Sequence, residues 1–338
     1  MPSEGWLEGW TAQAETRLDT VTPAQMAALA AVLDRDDPLP SPGDPLPLFW
    51  HWLYFLPVHR QSDLGYDGHA RLGGFLPPVP LPRRMYAGGR VEMRFPPRVG
   101  DAIERVSRVV DVTEKEGRSG PLVFLRVRHQ ISTREGIALV EDHDIVYRSA
   151  DAGPDKARPT SGKPGPDPTS GKRGPDPASG ARRPDPAPVV RRPDPIGSGI
   201  PPEPAWTREI VPDPVLLFRY SALTFNGHRI HYDRPFALEE GYAGLVVHAP
   251  LVATLLADLL RRSLPDAVVA TFTFRAIRPL FDGVPFTLCG RPSDDGRSVS
   301  LWAIDASGAM ALDAGAILVP TSPQSPASVV SSAPCESC

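Results

Sequence analysis

Between residues 151 and 204 the chain contains no aromatic side chain and is dominated by Pro, Gly, Ser, Asp and Arg. Such a composition cannot bury enough apolar surface to offset the entropy of ordering, so any core must come from the sequence on either side. The stretch repeats a Pro-Asp-Pro unit every nine residues, centred on Asp167, Asp176, Asp185 and Asp194. Proline at this density favours extended polyproline II segments over a folded array. Residues 151–205 are therefore expected to be a disordered, semi-rigid linker. Its Arg pairs, Arg182-Arg183 and Arg191-Arg192, are the feature most suited to a partner.

The two flanks are patterned in the same order. In the first, Thr22 in a cap position, Pro23 at the first helical position and Gln25 three residues after the cap, ahead of MAALAAVLD, predict a helix. Residues 48–56 (LFWHWLYFL), bounded by Pro47 and Pro57, suit either a buried helix or a strand, which periodicity alone does not separate. The runs RVEMRF, AIERVSRVVDV, LVFLRVRHQIST and IALVEDHDIVYR then follow, divided by proline and glycine breaks, and predict successive antiparallel strands. In the second flank, PLVATLLADLLRR carries a broad helical face of Leu251, Val252, Leu255, Leu256, Leu259 and Leu260. Strand-like runs at 268–278, 284–291, 297–305 and 309–319 come after it. A long buried helix followed by an antiparallel sheet is an α+β arrangement. Residues 1–150 and 206–322 are the expected domains, and 323–338 the expected disordered tail.

A net charge of -4 and an isoelectric point near 6.1 leave no basic field that would draw a nucleic acid. The three cysteines, Cys289, Cys335 and Cys338, do not make a disulfide framework. No run approaches the ~20 apolar residues that span a bilayer. MPSEGWLEGW has neither the basic start nor the apolar core of a secretory leader. No membrane partner is expected, and the cytoplasm is the expected compartment.

Chemistry concentrates in residues 219–250, which hold His228, His231 and His248, together with Asn226 and a helix start at Pro250. His228 and His231 stand three apart, but Arg229 lies between them and no local carboxylate or Cys set completes a zinc site, so no metal is expected. Neither a phosphate-cradling glycine loop nor a nucleophile motif is present.

Within this segment YSALTFNGHRIHYDRPFA and GLVVHAPLVATLL resemble the MaoC-like, hydratase-2 branch of the hotdog fold. They look most like the subgroup of type 2 3-hydroxyacyl-thioester dehydratases and of mesaconyl-C4-CoA (3-methylfumaryl-CoA) and itaconyl-CoA hydratases. LPPVPLPRRMYAGGRVEMRFPPRVGD in the first flank is more weakly similar to the N-terminal half of such hydratases. The resemblance implies a double hotdog: two domains, each a long helix wrapped by a curved antiparallel sheet, with the catalytic residues in the C-terminal one. It needs no cofactor, takes an acyl-CoA thioester and permits homo-oligomers.

Carried over residue by residue, the family's catalytic His falls on His231. Its usual Asp falls on Asn226, a departure that the dehydratase and mesaconyl-C4-CoA hydratase subgroup shares. Asn cannot exchange a proton near neutrality but can orient water, which leaves proton transfer to His231. His228 is expected to hold the loop or touch the thioester. The backbone amides of His248 and Ala249, ahead of the helix opened by Pro250, are the expected oxyanion donors. Arg219, Arg275 and Arg278 are candidates for the coenzyme A phosphates, with at most one of Arg275 and Arg278 facing the site on a regular strand. Arg83 and Arg84 are candidate clamps for a second carboxylate. The activity implied is reversible hydration of a short, branched, dicarboxylic enoyl-CoA. A fatty-acid or polyketide (R)-3-hydroxyacyl-thioester dehydratase and a non-catalytic acyl-CoA-binding or scaffold protein are the alternatives.

Overall fold

A computed structural model of the chain describes residues 14–117, 120–149 and 203–320. The expected linker, apart from 203–205, and the expected tail with Cys335 and Cys338 lie outside the described residues.

The first half contributes β1 (Ala14–Thr20), β2 (Arg83–Met93), β3 (Ala102–Gly117), β4 (Gly120–Thr133) and β5 (Gly136–Arg148). The second contributes β6 (Trp206–Ile210), β7 (Val269–Ala276), β8 (Phe286–Pro292), β9 (Ser298–Asp305) and β10 (Met310–Leu318). Together they form one antiparallel sheet in the order β1-β3-β4-β5-β2-β7-β10-β9-β8-β6. The two halves have the same connectivity, reflected about the β2–β7 pair, which is the α+β double hotdog expected from the sequence. At that seam the strands approach closely. A Cβ added to Gly88 would come within 2.4 Å of the Phe274 carbonyl oxygen.

Helix α4 (Ala249–Ser263) fills the second half and packs against β8, β9, β10 and β6. Leu251 to Leu260 are all buried, so the apolar face read from the sequence becomes a wholly enclosed helix. Arg261 and Arg262 in its last turn complement the negative end of the dipole.

The first half differs in its helix. Helix α1 (Pro23–Val32) has only ten residues and packs on α2 (Pro214–Thr224) rather than across its own sheet. It starts at Pro23 as expected, but the Thr22 and Gln25 side-chain oxygens make no capping bonds. The Thr22 carbonyl is instead taken by the Tyr54 hydroxyl at 2.9 Å. The apolar run 48–56 is neither a regular helix nor a strand but a buried 3-10 turn, Trp50–Leu53. It places His51 and Trp52 against Glu141 of β5, which accepts from His51 Nε2 at 3.1 Å and Trp52 Nε1 at 2.9 Å.

Candidate active site

Helix α2 opens at Asp213, whose carboxylate accepts the Leu216 N–H at 2.7 Å, and ends at Phe225 in the left-handed region. That residue turns the chain into the loop 226–233. Asn226 Oδ1 accepts the His228 backbone N–H at 3.0 Å, which fixes the amide so that its NH2 group is the free donor. Asn226 therefore has less acceptor capacity for water than the sequence reading assumed. Asp233 caps the short helix α3 (Arg234–Glu239) through the Phe236 N–H and pairs with Arg229 at 2.7 Å, a structural role.

His231 is 7% exposed. Its Nδ1 lies 2.7 Å from the Val246 carbonyl oxygen, which can only accept, so Nδ1 carries the proton and Nε2 keeps its lone pair. Val246 is held in turn, because its N–H donates to the Ile230 carbonyl at 2.9 Å. The ring stacks on His248 with centroids 3.6 Å apart and planes at 19°. His248 is anchored by Ser221, its Nε2 lying 2.8 Å from the hydroxyl oxygen.

His248 also stands at the N-cap of α4. The first-turn amides of a helix have no carbonyl of their own helix to bond, and Pro250 contributes no N–H at all. Ala249, the first residue of α4, lines the cleft beside His231 at the positive end of the dipole, and among the described residues its amide has no backbone partner.

A single cleft of about 1460 Å³ runs from these residues into the first half. Asn226, His228, His231, His248, Ala249 and Arg278 line it. Arg219 and Arg275 do not: Arg219 is exposed on α2, and Arg275 is exposed on β7 where that strand pairs with β2. Arg278 lies just beyond the end of β7, which frees it from strand alternation, and pairs with Asp305 at 3.6 Å.

From the first half the sequence named only Arg83 and Arg84, of which Arg84 lines the cleft, and missed the segment around Asp67. Residues 66–69 dock on the loop 226–233: the Arg229 N–H donates to the Asp67 carbonyl at 2.9 Å, and Arg229 Nη1 to the Tyr66 carbonyl at 3.0 Å. His69 Nδ1 lies 3.0 Å from Asp67 Oδ2, and its ring tilts against His228 at 4.2 Å. Gly68, at φ +87°, permits this approach, since a Cβ there would lie 1.9 Å from the Gly227 carbonyl oxygen. Gly68→Ala is expected to destabilise the protein by about 1–3 kcal/mol, read from equilibrium urea denaturation, because it combines backbone strain with an overlap that only loop displacement relieves.

Asp67, His69 and His228 present ligand atoms within 4.8 Å of one another, so a carboxylate does reach these histidines, from a distant part of the chain. Yet Asp67 is already committed to His69, and the charge of Arg84 bears on all three. The local field favours an anion over a cation.

Burial dominates the titration of this region, pushing His231 down to about 4, His143 to about 4 and His129 to about 3. The unfolded chain binds protons at these imidazoles near 6.5, whereas the folded chain does not, so lowering the pH favours unfolding. Stability is expected to be level above pH 7 as far as these groups are concerned and to fall from about 6.5 toward about 4. Urea midpoints measured at pH 7.5, 6 and 5 check this.

The fold and cleft define a class: a double-hotdog protein with a buried histidine, its Nε2 lone pair free, beside a helix N-terminus. The profile of the hydroxyacyl-thioester dehydratase type 2 family matches residues 49–177 and 185–282, and the chain belongs to that family. A mesaconyl-C(4)-CoA hydratase of Chloroflexus aurantiacus is 43% identical over 316 residues, covering 93% of this chain and 98% of that protein. Among solved structures, HtdX of Mycobacterium tuberculosis superposes with a TM-score of 0.58 at 17% identity, covering 91% of this chain and 100% of that one. A MaoC-like dehydratase from Phytophthora capsici does so with 0.56 at 14% identity, covering 91% and 96%. Both show the fold alone.

Proposed function

We propose that the chain is a hydro-lyase that reversibly adds water across the α,β double bond of a short, branched, dicarboxylic enoyl-CoA of the mesaconyl-C4-CoA type. The observation that carries this reading is His231, whose Nδ1 is tied to the Val246 carbonyl and whose Nε2 is left as a base in the cleft. The Chloroflexus hydratase, similar over nearly the full length of both chains, supports the same reaction class.

In the forward direction His231 Nε2 takes one proton from water as the oxygen bonds to the β-carbon. The Asn226 NH2 group donates to that oxygen and holds it in place. Electrons move onto the thioester oxygen, where the Ala249 amide at the α4 N-terminus stabilises the enolate. The enolate collapses, and the imidazolium returns its proton to the α-carbon. Dehydration is the reverse. His228 orders the loop through its bond to Asn226, and the stacked His248 keeps the His231 ring aligned. Arg278 at the cleft serves the coenzyme A moiety. The first half acts as a non-catalytic domain that completes the substrate cavity, and cytoplasmic acyl-CoA is the substrate pool.

A long-chain dehydratase is the weaker reading because charged and imidazole groups stand among the apolar side chains at the first-half end of the cleft. Glu141, His129, His143, Arg105 and Arg17 line its first-half end, and an alkyl chain laid there would strip water from charged groups at high cost. The test is kcat/KM for mesaconyl-C4-CoA against crotonyl-CoA and longer enoyl-CoAs. A clear preference for the dicarboxylic substrate is expected; equal or faster turnover of the unsubstituted chains defeats this assignment.

A further inference from the structure

Arg84 is a cation facing the cleft without an acid of its own. It stands on β2 of the first half, opposite Tyr147 of β5. Of the other arginines along the cleft, Arg17 and Arg105 pair with Glu15, Arg229 with Asp233 and Arg278 with Asp305, while Arg71 and Arg148, like Arg84, form no ion pair among the described residues; Arg84 is the one of these three whose charge bears on His228 beside His231. Its neighbour Arg83 pairs with Glu240 at 3.1 Å and does not line the cleft. Among the described residues no carboxylate lies within ion-pair distance of the Arg84 guanidinium. The acid whose charge it does feel, Asp67, has its Oδ2 taken by His69.

The position of this charge matters as much as its freedom. Arg84 lines the same cleft as His69, His143 and His228, and its charge helps hold all three imidazoles below their usual range. His228 packs edge-on against His231, with ring centroids 5.4 Å apart. The field of Arg84 therefore acts beside the catalytic base rather than at a remote end of the cavity. Across the strand pair stands the buried Tyr147, whose hydroxyl feels the Arg84 guanidinium, so the cation has a neutral neighbour there and no acid. An unpaired, partly desolvated guanidinium is a standing free-energy cost that an anionic ligand relieves.

We propose that Arg84 is the specificity-determining residue of the active site, binding a carboxylate carried on the β-carbon of the acyl group. The inference rests on the hydratase reading above and assigns its substrate class to one side chain. A carboxylate bonded directly to the β-carbon lies within two bonds of the atom that water attacks, so its partner must sit next to the catalytic loop. Neutralising that carboxylate also removes the repulsion that it would exert on the incoming, increasingly negative oxygen. The first half thus reads the substrate while the second half transforms it.

The test separates recognition from catalysis. Two saturated, unreactive thioesters, 3-carboxybutyryl-CoA and isovaleryl-CoA, differ only in carboxylate against methyl on the β-carbon, and their affinities are measured by calorimetry for the parent protein, Arg84→Leu and Arg84→Lys. The parent is expected to prefer 3-carboxybutyryl-CoA by on the order of 10- to 100-fold, the value of one charge-assisted pair. Arg84→Leu abolishes that preference while keeping isovaleryl-CoA affinity, and Arg84→Lys restores part of it. Equal weakening of both ligands in Arg84→Leu overturns the proposal, because it marks a role in folding or in holding coenzyme A. A preference that survives the substitution overturns it as well. Hydration of mesaconyl-C4-CoA is followed in parallel. Carboxylate preference without any hydration leaves Arg84 as the anion site and defeats the hydratase reading alone.

Discussion

His231→Asn is expected to lower kcat/KM for mesaconyl-C4-CoA by about 10²–10⁴-fold, the range that a positioned general base contributes. Asn is the informative replacement because its amide nitrogen occupies the place of Nδ1 and can still donate to the Val246 carbonyl, a bond of 2.7 Å in the parent. The fold and loop are thereby kept while the atom at Nε2 is removed. His231→Gln does the reverse, placing an amide near Nε2 and abandoning Val246. Both variants lose activity if Nε2 is the base, but only Gln should also lose stability. A variant that keeps its melting temperature and its affinity for a saturated acyl-CoA while losing turnover isolates the chemical step.

Asp258→Ala carries the largest expected loss of stability, about 3–5 kcal/mol. Asp258 sits on α4 with its side chain 2% exposed and is held by three arginines: Arg35 Nη1 at 2.6 Å, Arg208 Nη1 at 2.9 Å and Arg262 Nε at 2.7 Å. Arg35 follows α1 in the first half, Arg208 belongs to β6 and Arg262 to α4 itself. Arg208 and Arg262 reach on to the Leu33 carbonyl, so this one carboxylate fastens the end of α1 to the central helix of the other half. Removing it leaves Arg208 and Arg262 without a counter-charge and Arg35 with Asp37 alone. The surface pair of Arg128 with Asp142, whose arginine side chain is 49% exposed, provides the contrast. Arg128→Ala should cost no more than about 1 kcal/mol, because solvent screens the pair. Equilibrium urea denaturation of both variants measures the difference.

Much of this architecture was legible from local pattern. Helix α4 and the strands β3, β4, β5, β8, β9 and β10 follow from periodicity over segments long enough to show it. Strand β2 begins at Arg83, ahead of the run read from the sequence, because Gly88 and Gly89 look like a break when their role is close packing at the seam. The edge strands β1 and β6 were missed because AETRLDT and WTREI have little apolar signal; their order comes from pairing with β3 and β8. Helices α2 and α3 escaped notice because the loop between them drew attention to its histidines rather than to the capping residues Asp213 and Asp233.

The same division holds in the cleft. His231, Asn226 and the start of α4 lie within one short segment, so a motif could point to them together. Asp67 and His69 could not be placed beside them, since Arg229 and Tyr66, which join the two loops, are 163 residues apart; of the two candidate clamps, Arg83 and Arg84, the sequence did not say which one faces the cleft. Glu141 and His51 meet across 90 residues for the same reason. Arg219 and Arg275 illustrate the reverse error: charge and proximity in sequence to the motif say nothing about which way a side chain faces, whereas Arg278, past the end of its strand, does reach the cleft.

The most direct measurement is incorporation of isotopic water. Purified full-length protein is incubated with mesaconyl-C4-CoA in H₂¹⁸O and the thioester product analysed by mass spectrometry, alongside His231→Asn of verified fold. The parent should yield a product that has gained one water, with ¹⁸O on the β-carbon, and the variant should yield almost none over the same interval. Absence of labelled product with the parent protein, or equal labelling by the variant, contradicts the assignment of His231 as the base of a hydratase.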